Sequence, residues 1–450
     1  DDTGAPAQNM NITVMRFVMR GGERAQAIAT GSSARTDDRG QYRVFGLPAG
    51  EYSVSAGRFI FSDEGKLHRV TPSEVDAALK PSTTSGAAPS ARPVEESQPI
   101  MAASVFYPGT TIFAEAGTVE VAAGEEKSGI DITLQYVAAT NIEGRLLGPD
   151  GTAPAATTLT MVEVGAPVQI SQPRFARPAA TTGAFAFNSI PPGQYVITAR
   201  ATTRPPAAGA TPDAPLFARA DVTVTGRAMP PITLTLEDGV TVSGIVQPDA
   251  ASAGIDPRAV RVGLEPIIGR NDVAIGVQAV VPDANGAFAI TGVPPGRYRV
   301  TIDTGVSGRA ILPKSATLQS ANALDDGIQV SGSDLSGLDV TITSLAAEIS
   351  GSLQDASGRA ATDFYVIVFP EDRKFWTMNS RRIKTARPGV DGTFVLRNLP
   401  PGNYRIAAVT DVDTNEWFEP TFLSQLVSAS AQITLAEGEK KAFPLKLGGG

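Results

Sequence analysis

"GTFVLRNLPPGNYRI", residues 392–406, decides the fold, because the chain uses this peptide four times. Residues 40–54 read "GQYRVFGLPAGEYSV", 183–197 read "GAFAFNSIPPGQYVI" and 286–300 read "GAFAITGVPPGRYRV". All four fit G-x-[F/Y]-x-x-x-x-[L/I/V]-P-[P/A]-G-x-Y without a gap, at intervals of roughly 100 to 145 residues, a domain-sized spacing rather than a solenoid's. Apolar residues at alternate positions predict a strand, a tight turn and a second strand, so each copy is expected to form a core hairpin. Its defining residues are Gly40, Tyr42, Pro48, Gly50 and Tyr52, then Gly183, Phe185, Pro191, Pro192, Gly193 and Tyr195. The later copies supply Gly286, Phe288, Pro294, Pro295, Gly296 and Tyr298, then Gly392, Phe394, Pro400, Pro401, Gly402 and Tyr404. Pro presets φ in the turn, and the Gly that ends it is expected to hold a backbone state closed to other residues. The Tyr two residues later can bury its ring while its hydroxyl satisfies a nearby backbone group, as at a tyrosine corner.

Two further signals frame these copies. "NIEGRLLGPDGTAPA" at 141, "TVSGIVQPDA" at 241 and "EISGSLQDASGRAAT" at 348 each read as a first strand and turn. "TVEVAAGEEKSGIDITLQ" at 118, "ADVTVTGRAMPPITLTL" at 220, "IQVSGSDLSGLDVTIT" at 328 and "AQITLAEGEKKAFPLKL" at 431 read as closing strand pairs. The expected organisation is all-β, in four tandem domains over 1–137, 138–237, 238–345 and 346–450. Together the motifs resemble the carboxypeptidase regulatory-like family over nearly the whole chain. That resemblance implies seven-stranded Greek-key β-sandwiches of transthyretin-like, Cna-B-like or Ig-like form, usually non-catalytic modules of secreted or envelope proteins of bacteria.

Composition agrees with strands and sharp turns: 450 residues carry 45 Gly, 34 Pro and 42% hydrophobic residues. With no Cys, disulfides and thiolate metal sites are excluded. The net charge of -8 arises from 38 basic and 46 acidic residues without long runs, so no footprint for nucleic acid is present. No apolar run approaches the roughly 20 residues of a membrane-crossing helix. The N-terminus "DDTGAPAQNM" lacks a signal-peptide layout, so a secreted chain would already be processed.

The first domain departs from the others twice. An insertion, residues 59–104, contains "TPSEVDAALKP", where Thr71, Pro72 and Glu74 predict a short helix, followed by the Ser/Ala/Pro-rich loop "STTSGAAPSARPVEESQP". In addition, aligning "DDTGAPA" at residue 1 with "GPDGTAPA" at 148 places the missing x-I-x-G-x-L strand ahead of Asp1. A sandwich without that strand exposes unpaired backbone and an apolar groove. Either an upstream part of the precursor fills it, or a segment of another subunit does by strand addition. The acceptor region is expected at Asp1, Asp2, Met10, Ile12 and Val14.

Residues that could carry chemistry are few. His68 is the sole histidine, so a His-based zinc site or a Ser-His-Asp triad would depend on it alone, and no cofactor or catalytic residue is expected. Asp411, Asp413 and Asn415 have the alternate spacing that opens a calcium loop, but Glu416 and Phe422 stand where such a loop needs Gly and Glu. Intramolecular isopeptide bonds, implied by the Cna-B resemblance, cannot be general: 138–237 has no lysine and 238–345 has only Lys314. In "EDRKFWTMNSRRIKT", Arg373, Lys374, Phe375, Trp376, Arg381 and Arg382, with Trp417, combine aromatic and guanidinium groups suited to a glycan, an acidic polymer or a neighbouring subunit.

The sequence therefore points to a non-enzymatic extracellular structural protein, preferably a self-assembling, pilus-like fibre subunit joined by strand complementation or edge contacts. The alternatives are a polymer- or glycan-binding adhesion module of the cell envelope and an accessory region of a larger secreted enzyme.

Overall fold

The computed structural model of the protein describes residues 4–20, 23–57, 67–68, 99–154, 157–165, 172–201, 214–267, 273–304, 311–410, 412 and 415–447. By contact the chain divides into two units, Asp1–Phe17 with Gln26–Glu237 and Arg270–Val273, and Val18–Ala25 with Asp238–Gly269 and Ala274–Gly450. The described residues are nearly all strand and turn, with one α-helix, Pro420–Leu426.

Within the first unit, the second repeat shows the full pattern. Its opening strand Thr140–Leu147 lies between the antiparallel Ala184–Ile190 and the parallel Ile232–Thr235. A second sheet, in the order Arg174–Ala176, Thr158–Glu163, Gly193–Ala201, Leu216–Val224 and Glu237–Asp238, contributes to the same core. Period-two alternation drives the layering: Ile142, Leu146, Phe185, Phe187, Tyr195 and Ile197 all turn inward.

The second unit repeats this arrangement twice. Val240–Pro248 lies between the antiparallel Ala287–Val293 and the parallel Leu335–Thr343, with Arg261–Pro266, Gly296–Asp303 and Ile328–Val330 in the other sheet. Ala347–Gln354 lies between the antiparallel Thr393–Leu399 and the parallel Lys440–Ala442, with Lys384–Ala386, Tyr365–Pro370, Gly402–Val409 and Ala431–Leu435 in the other sheet.

This topology corrects the hairpin expectation. In the second, third and fourth repeats the two strands of the repeated peptide belong to different sheets: Ala184–Ile190 and Gly193–Ala201 never pair, nor do their counterparts. The peptide is an arch that carries the chain from one layer to the other. Both of its strands keep an inward apolar face because they meet the same core from opposite sides, and Pro at the crossing has no N–H to donate to a ladder.

The glycine assignment also changes. The expected positive φ after the prolines is found at Gly402 (153°) alone of the four; the left-handed residues common to the copies are the first glycines, Gly40, Gly183, Gly286 and Gly392, with φ of 72°, 66°, 83° and 78°, and the residues two before the first proline, Gly46, Ser189, Gly292 and Asn398. After the prolines, Gly193 and Gly296 serve a different need: a Cβ there would meet the ring of Tyr195 at 3.1 Å or of Tyr298 at 3.3 Å. The tyrosines behave as expected in all four copies. The Tyr195, Tyr298 and Tyr404 hydroxyls donate to the carbonyls of Pro191, Pro294 and Pro400 at 3.1, 2.9 and 2.7 Å, and Tyr52 donates to that of Pro48.

Candidate strand-acceptor site

Among the described residues the first repeat has one sheet of the pattern and no central strand in the other. Asn11–Arg20 pairs with Gly50–Gly57, which also receives Val105–Phe106 and Val119–Val121. This sheet corresponds to the one that contains Thr158–Glu163 and Gly193–Ala201 in the second repeat. Residues 41–47 and 129–134 correspond to Ala184–Ile190 and to the approach and start of Ile232–Thr235. Neither forms a ladder, and residues 42–47 and 129–134 make no backbone–backbone hydrogen bond among the described residues.

Burial follows pairing. Phe185, Phe187 and Ile190, like their counterparts in the third and fourth repeats, are at most 6% exposed. Tyr42, Val44 and Leu47, in the same positions of the first repeat, are only half-buried, as are Ile130 and Ile132 opposite them. These five residues wall an apolar groove whose central strand is absent from the described residues. One bond joins the walls: the Tyr42 hydroxyl donates to the Ile130 carbonyl at 2.6 Å. Burial, with added repulsion from Asp131 and Tyr107, pushes the Tyr42 phenol up to about 12.

Gly40 records the same gap. In the second and third repeats a Cβ on the matching glycine would fall 2.1 Å from the Leu146 carbonyl oxygen and 2.0 Å from that of Val246, both on opening strands. At Gly40 the nearest atoms belong instead to Pro6 and Ala7, at 3.1 Å and beyond.

The sequence had located the acceptor elsewhere. Met10, Ile12 and Val14 are buried on the inner face of the sheet that is present, Ile12 facing Ala56 and Val14 facing Val54, so they are the groove's floor rather than its walls. Asp1 and Asp2 lie outside the described residues. The walls were detectable: Tyr42, Val44 and Leu47 alternate as Phe185, Phe187 and Ile190 do, and Ile132 and Leu134 align with Ile232 and Leu234.

The basic aromatic loop of the fourth repeat is organised inward. Trp376 is 4% exposed, donates its Nε1–H to the Pro370 carbonyl at 2.7 Å and meets the Phe369 ring edge-on at 5.8 Å. Arg373 stacks on Trp376, while Lys374 and Arg382 stack on Phe375. Trp417 is half-buried beside Tyr365, in an apolar cluster closed by Leu423 and Leu426 of the helix Pro420–Leu426. The two tryptophans thus do share one cluster, but as packing, and the Trp376 ring offers no open face to a ligand. The sequence signal for this second layer was the unalternating run "YVIVFP", whose Val366, Ile367, Val368 and Phe369 are fully buried on both faces of the strand.

The paired arginines meet a carboxylate of the third repeat. Arg381 places Nε 3.0 Å and Nη2 3.1 Å from the Asp325 carboxylate and donates Nη1–H to the Pro313 carbonyl at 2.8 Å. Arg382 reaches Asp325 at 3.4 Å. Burial of Asp325 works against ionisation, but the Arg381 hydrogen bond and the two guanidinium charges outweigh it and hold the carboxyl below the usual range. This is a bidentate joint inside the second unit rather than a free cationic patch.

The remaining candidates are described only in part. Asp411 and Asp413 lie outside the described residues, and Asn415 sits in a left-handed turn ahead of the Glu416–Phe418 turn of 3-10 helix. Among the described residues no three His, Cys, Asp or Glu side chains gather to hold a metal. His68 ends the two-residue strand Leu67–His68, which pairs with Pro99–Ala102, while the helix expected at Thr71 and the loop after it lie outside the described residues. Among the described residues no helix is long and apolar enough to cross a membrane.

No family model matches the chain. No curated protein matches it either. Solved structures match the chain only at low similarity. The Bacillus anthracis TIE protein has 11% identity and a TM-score of 0.18, over 97% of this chain and 68% of that one. A streptococcal ancillary pilin has 13% identity and a TM-score of 0.21, over 68% of this chain and 98% of its own. The minor pilin of Streptococcus agalactiae has 12% identity and a TM-score of 0.23, over 45% and 95%.

Proposed function

We propose that the chain is a non-enzymatic structural protein of the bacterial cell surface, a fibre subunit whose first repeat accepts a β-strand from a neighbouring copy. The observation that carries this reading is the pair of walls at 41–47 and 129–134, which have the positions and apolar residues of strands but no ladder between them. An added strand would recover two rows of backbone hydrogen bonds and cover Tyr42, Val44, Leu47, Ile130 and Ile132 at once. The proposed domains are those expected from the sequence, 1–137, 138–237, 238–345 and 346–450, and the motif resemblance to carboxypeptidase regulatory-like modules supports an envelope setting.

Negative-stain electron microscopy and sedimentation of the native protein across a concentration series test this directly. Head-to-tail oligomers or filaments that grow with concentration are the expected result. A chain that stays monomeric throughout, with residues 42–47 as slow to exchange as residues 184–190, would mean that the groove is filled within one molecule and the fibre reading is wrong.

A further inference from the structure

Two domains joined by a short link swing against each other unless something besides the link holds them. Between the third and fourth repeats, both within the second unit, the link is residues 344–346, from the end of Leu335–Thr343 to the start of Ala347–Gln354. It is tied on both sides. The Ser344 N–H donates to Oγ of the buried Ser252 in the third repeat at 2.9 Å, and a Cβ on Gly438 of the fourth would meet Leu345 Cβ at 3.2 Å.

Further contacts run beside the link. Arg299 and Glu265 face each other on adjacent strands of the third repeat, and both reach the same loop of the fourth. Arg299 donates Nη1–H to the Met378 carbonyl at 3.1 Å, while Asn379 donates Nδ2–H to Glu265 Oε1 at 3.2 Å. Lys314 of the third repeat meets Glu437 of the fourth at 2.6 Å, with both side chains about a third exposed. Exposed pairs of this kind hold little by themselves.

The centre is different. The Asp325 side chain is 4% exposed, and those of Arg381 and Arg382 are 21% and 15% exposed. Each half is set by its own repeat before the two meet. Asn322 fixes the Asp325 turn, its Oδ1 accepting from the N–H groups of Leu324 and Asp325 and its Nδ2–H donating to Asp325 Oδ2 at 3.1 Å, while Ala323 and Leu324 anchor the turn in the third core. Across the joint, Arg381 and Arg382 stand between the buried Ser380 and Ile383. The Arg382 guanidinium lies 4.4 Å from the centre of the Phe375 ring and donates to the Pro401 carbonyl at 3.3 Å. Groups ordered in advance lose little entropy on docking. Two cations that are neighbours in sequence thus converge on one buried carboxylate. Without its charge they would repel each other in a place with little water, and parting the repeats is the way to rehydrate them.

We infer that the third and fourth repeats form one stiff two-domain element, locked by the Asp325 carboxylate of the third between Arg381 and Arg382 of the fourth. The lock is independent of any strand added to the first repeat.

The test uses the full chain, which has no Cys, with nitroxide labels placed through Val281→Cys in the third repeat and Val390→Cys in the fourth, both exposed positions. Pulsed dipolar resonance measures the distance distribution between them. Amide exchange at 296–303 and 402–409 records that both cores stay folded. One narrow distribution is expected with the lock intact, and Asp325→Asn is expected to widen it by about twofold or more while both cores stay protected. Glu437→Ala, which cuts only the exposed bridge, is expected to leave the width unchanged. A distribution that is broad with the lock intact, or as narrow after Asp325→Asn as before, overturns the inference. Equal widening by Glu437→Ala and Asp325→Asn also overturns it, since the hold would then be spread along the rim. Should Asp325→Asn unfold the third repeat, Arg381→Gln breaks the same pair from the other side and is judged by the same widths.

Discussion

The first and second repeats share the arch, the tyrosine corner and one sheet, and they differ in a single strand. In the second repeat, Thr140–Leu147 ties Ala184–Ile190 to Ile232–Thr235 and hides every inward residue of both. In the first, the same two segments are drawn alongside the core but join no ladder among the described residues. The arch and the tyrosine therefore hold the chain's path without the central strand, whereas burial of the entering strand requires it. A peptide repeated four times for architecture can thus differ in burial where a neighbour of the motif, not the motif itself, is different.

The sharpest way to break this comparison is a matched pair of alanines. Gly183 and Gly40 have nearly the same φ, 66° and 72°, so the left-handed strain of alanine, about 1 kcal/mol, is common to both. Only Gly183→Ala also drives a methyl to 2.1 Å from the carbonyl oxygen of Leu146, the residue whose N–H donates to the Gly183 carbonyl. We expect Gly183→Ala to destabilise the second repeat by roughly 3 kcal/mol or more and Gly40→Ala to cost the first about 1 to 2 kcal/mol. Urea unfolding followed by exchange mass spectrometry, repeat by repeat, measures both. Equal losses would mean that a strand already lies beside Gly40.

Much of this was legible before any coordinates. The four strand–turn–strand peptides and the three opening strands follow from gapless pattern matches, because a turn that needs Pro, Gly and Tyr at fixed offsets tolerates little variation. Which strands pair was not legible. Ala184–Ile190 and Gly193–Ala201 alternate identically whether they face each other in a hairpin or meet across a core, since period-two burial reports a side and not a partner. The site was half legible for a related reason. Met10, Ile12 and Val14 are the nearest apolar residues in sequence to the gap, but the strands that flank it in space, near Tyr42 and Ile132, are distant in sequence. Trp376 was misread because composition shows an aromatic beside arginines without showing that Pro370 and the helix Pro420–Leu426 close over that side of the sheet.

Amide exchange sharpens the comparison without any substitution. Residues 184–190 donate to or accept from a ladder, while 42–47 do not, so exchange at 42–47 is expected to run about 100-fold faster or more at neutral pH. Residues 129–134 should exchange like 42–47, since both walls lack the same strand. A result in which 129–134 is protected and 42–47 is not would show that the closing segment has a partner of its own and would reduce the groove to a single edge.

The smallest effect concerns the tyrosines. Tyr195→Phe removes a hydroxyl bond to the half-buried Pro191 carbonyl and leaves that acceptor short, a loss of about 1 kcal/mol. Tyr42→Phe removes the bond to Ile130 but installs the ring that Phe185, Phe288 and Phe394 supply in the other repeats, so its effect at neutral pH should be under about 0.5 kcal/mol. Tyr42 adds an effect in alkali. Tyr42 has its phenol raised from the ordinary 10.0 to about 12, so the folded state holds that proton more tightly than the unfolded one. Its contribution is full below pH 10 and is lost as pH rises from about 10 to about 12. The wild-type first repeat should therefore lose stability across that window while Tyr42→Phe loses less, with tyrosinate absorbance near 295 nm reporting the missing titration.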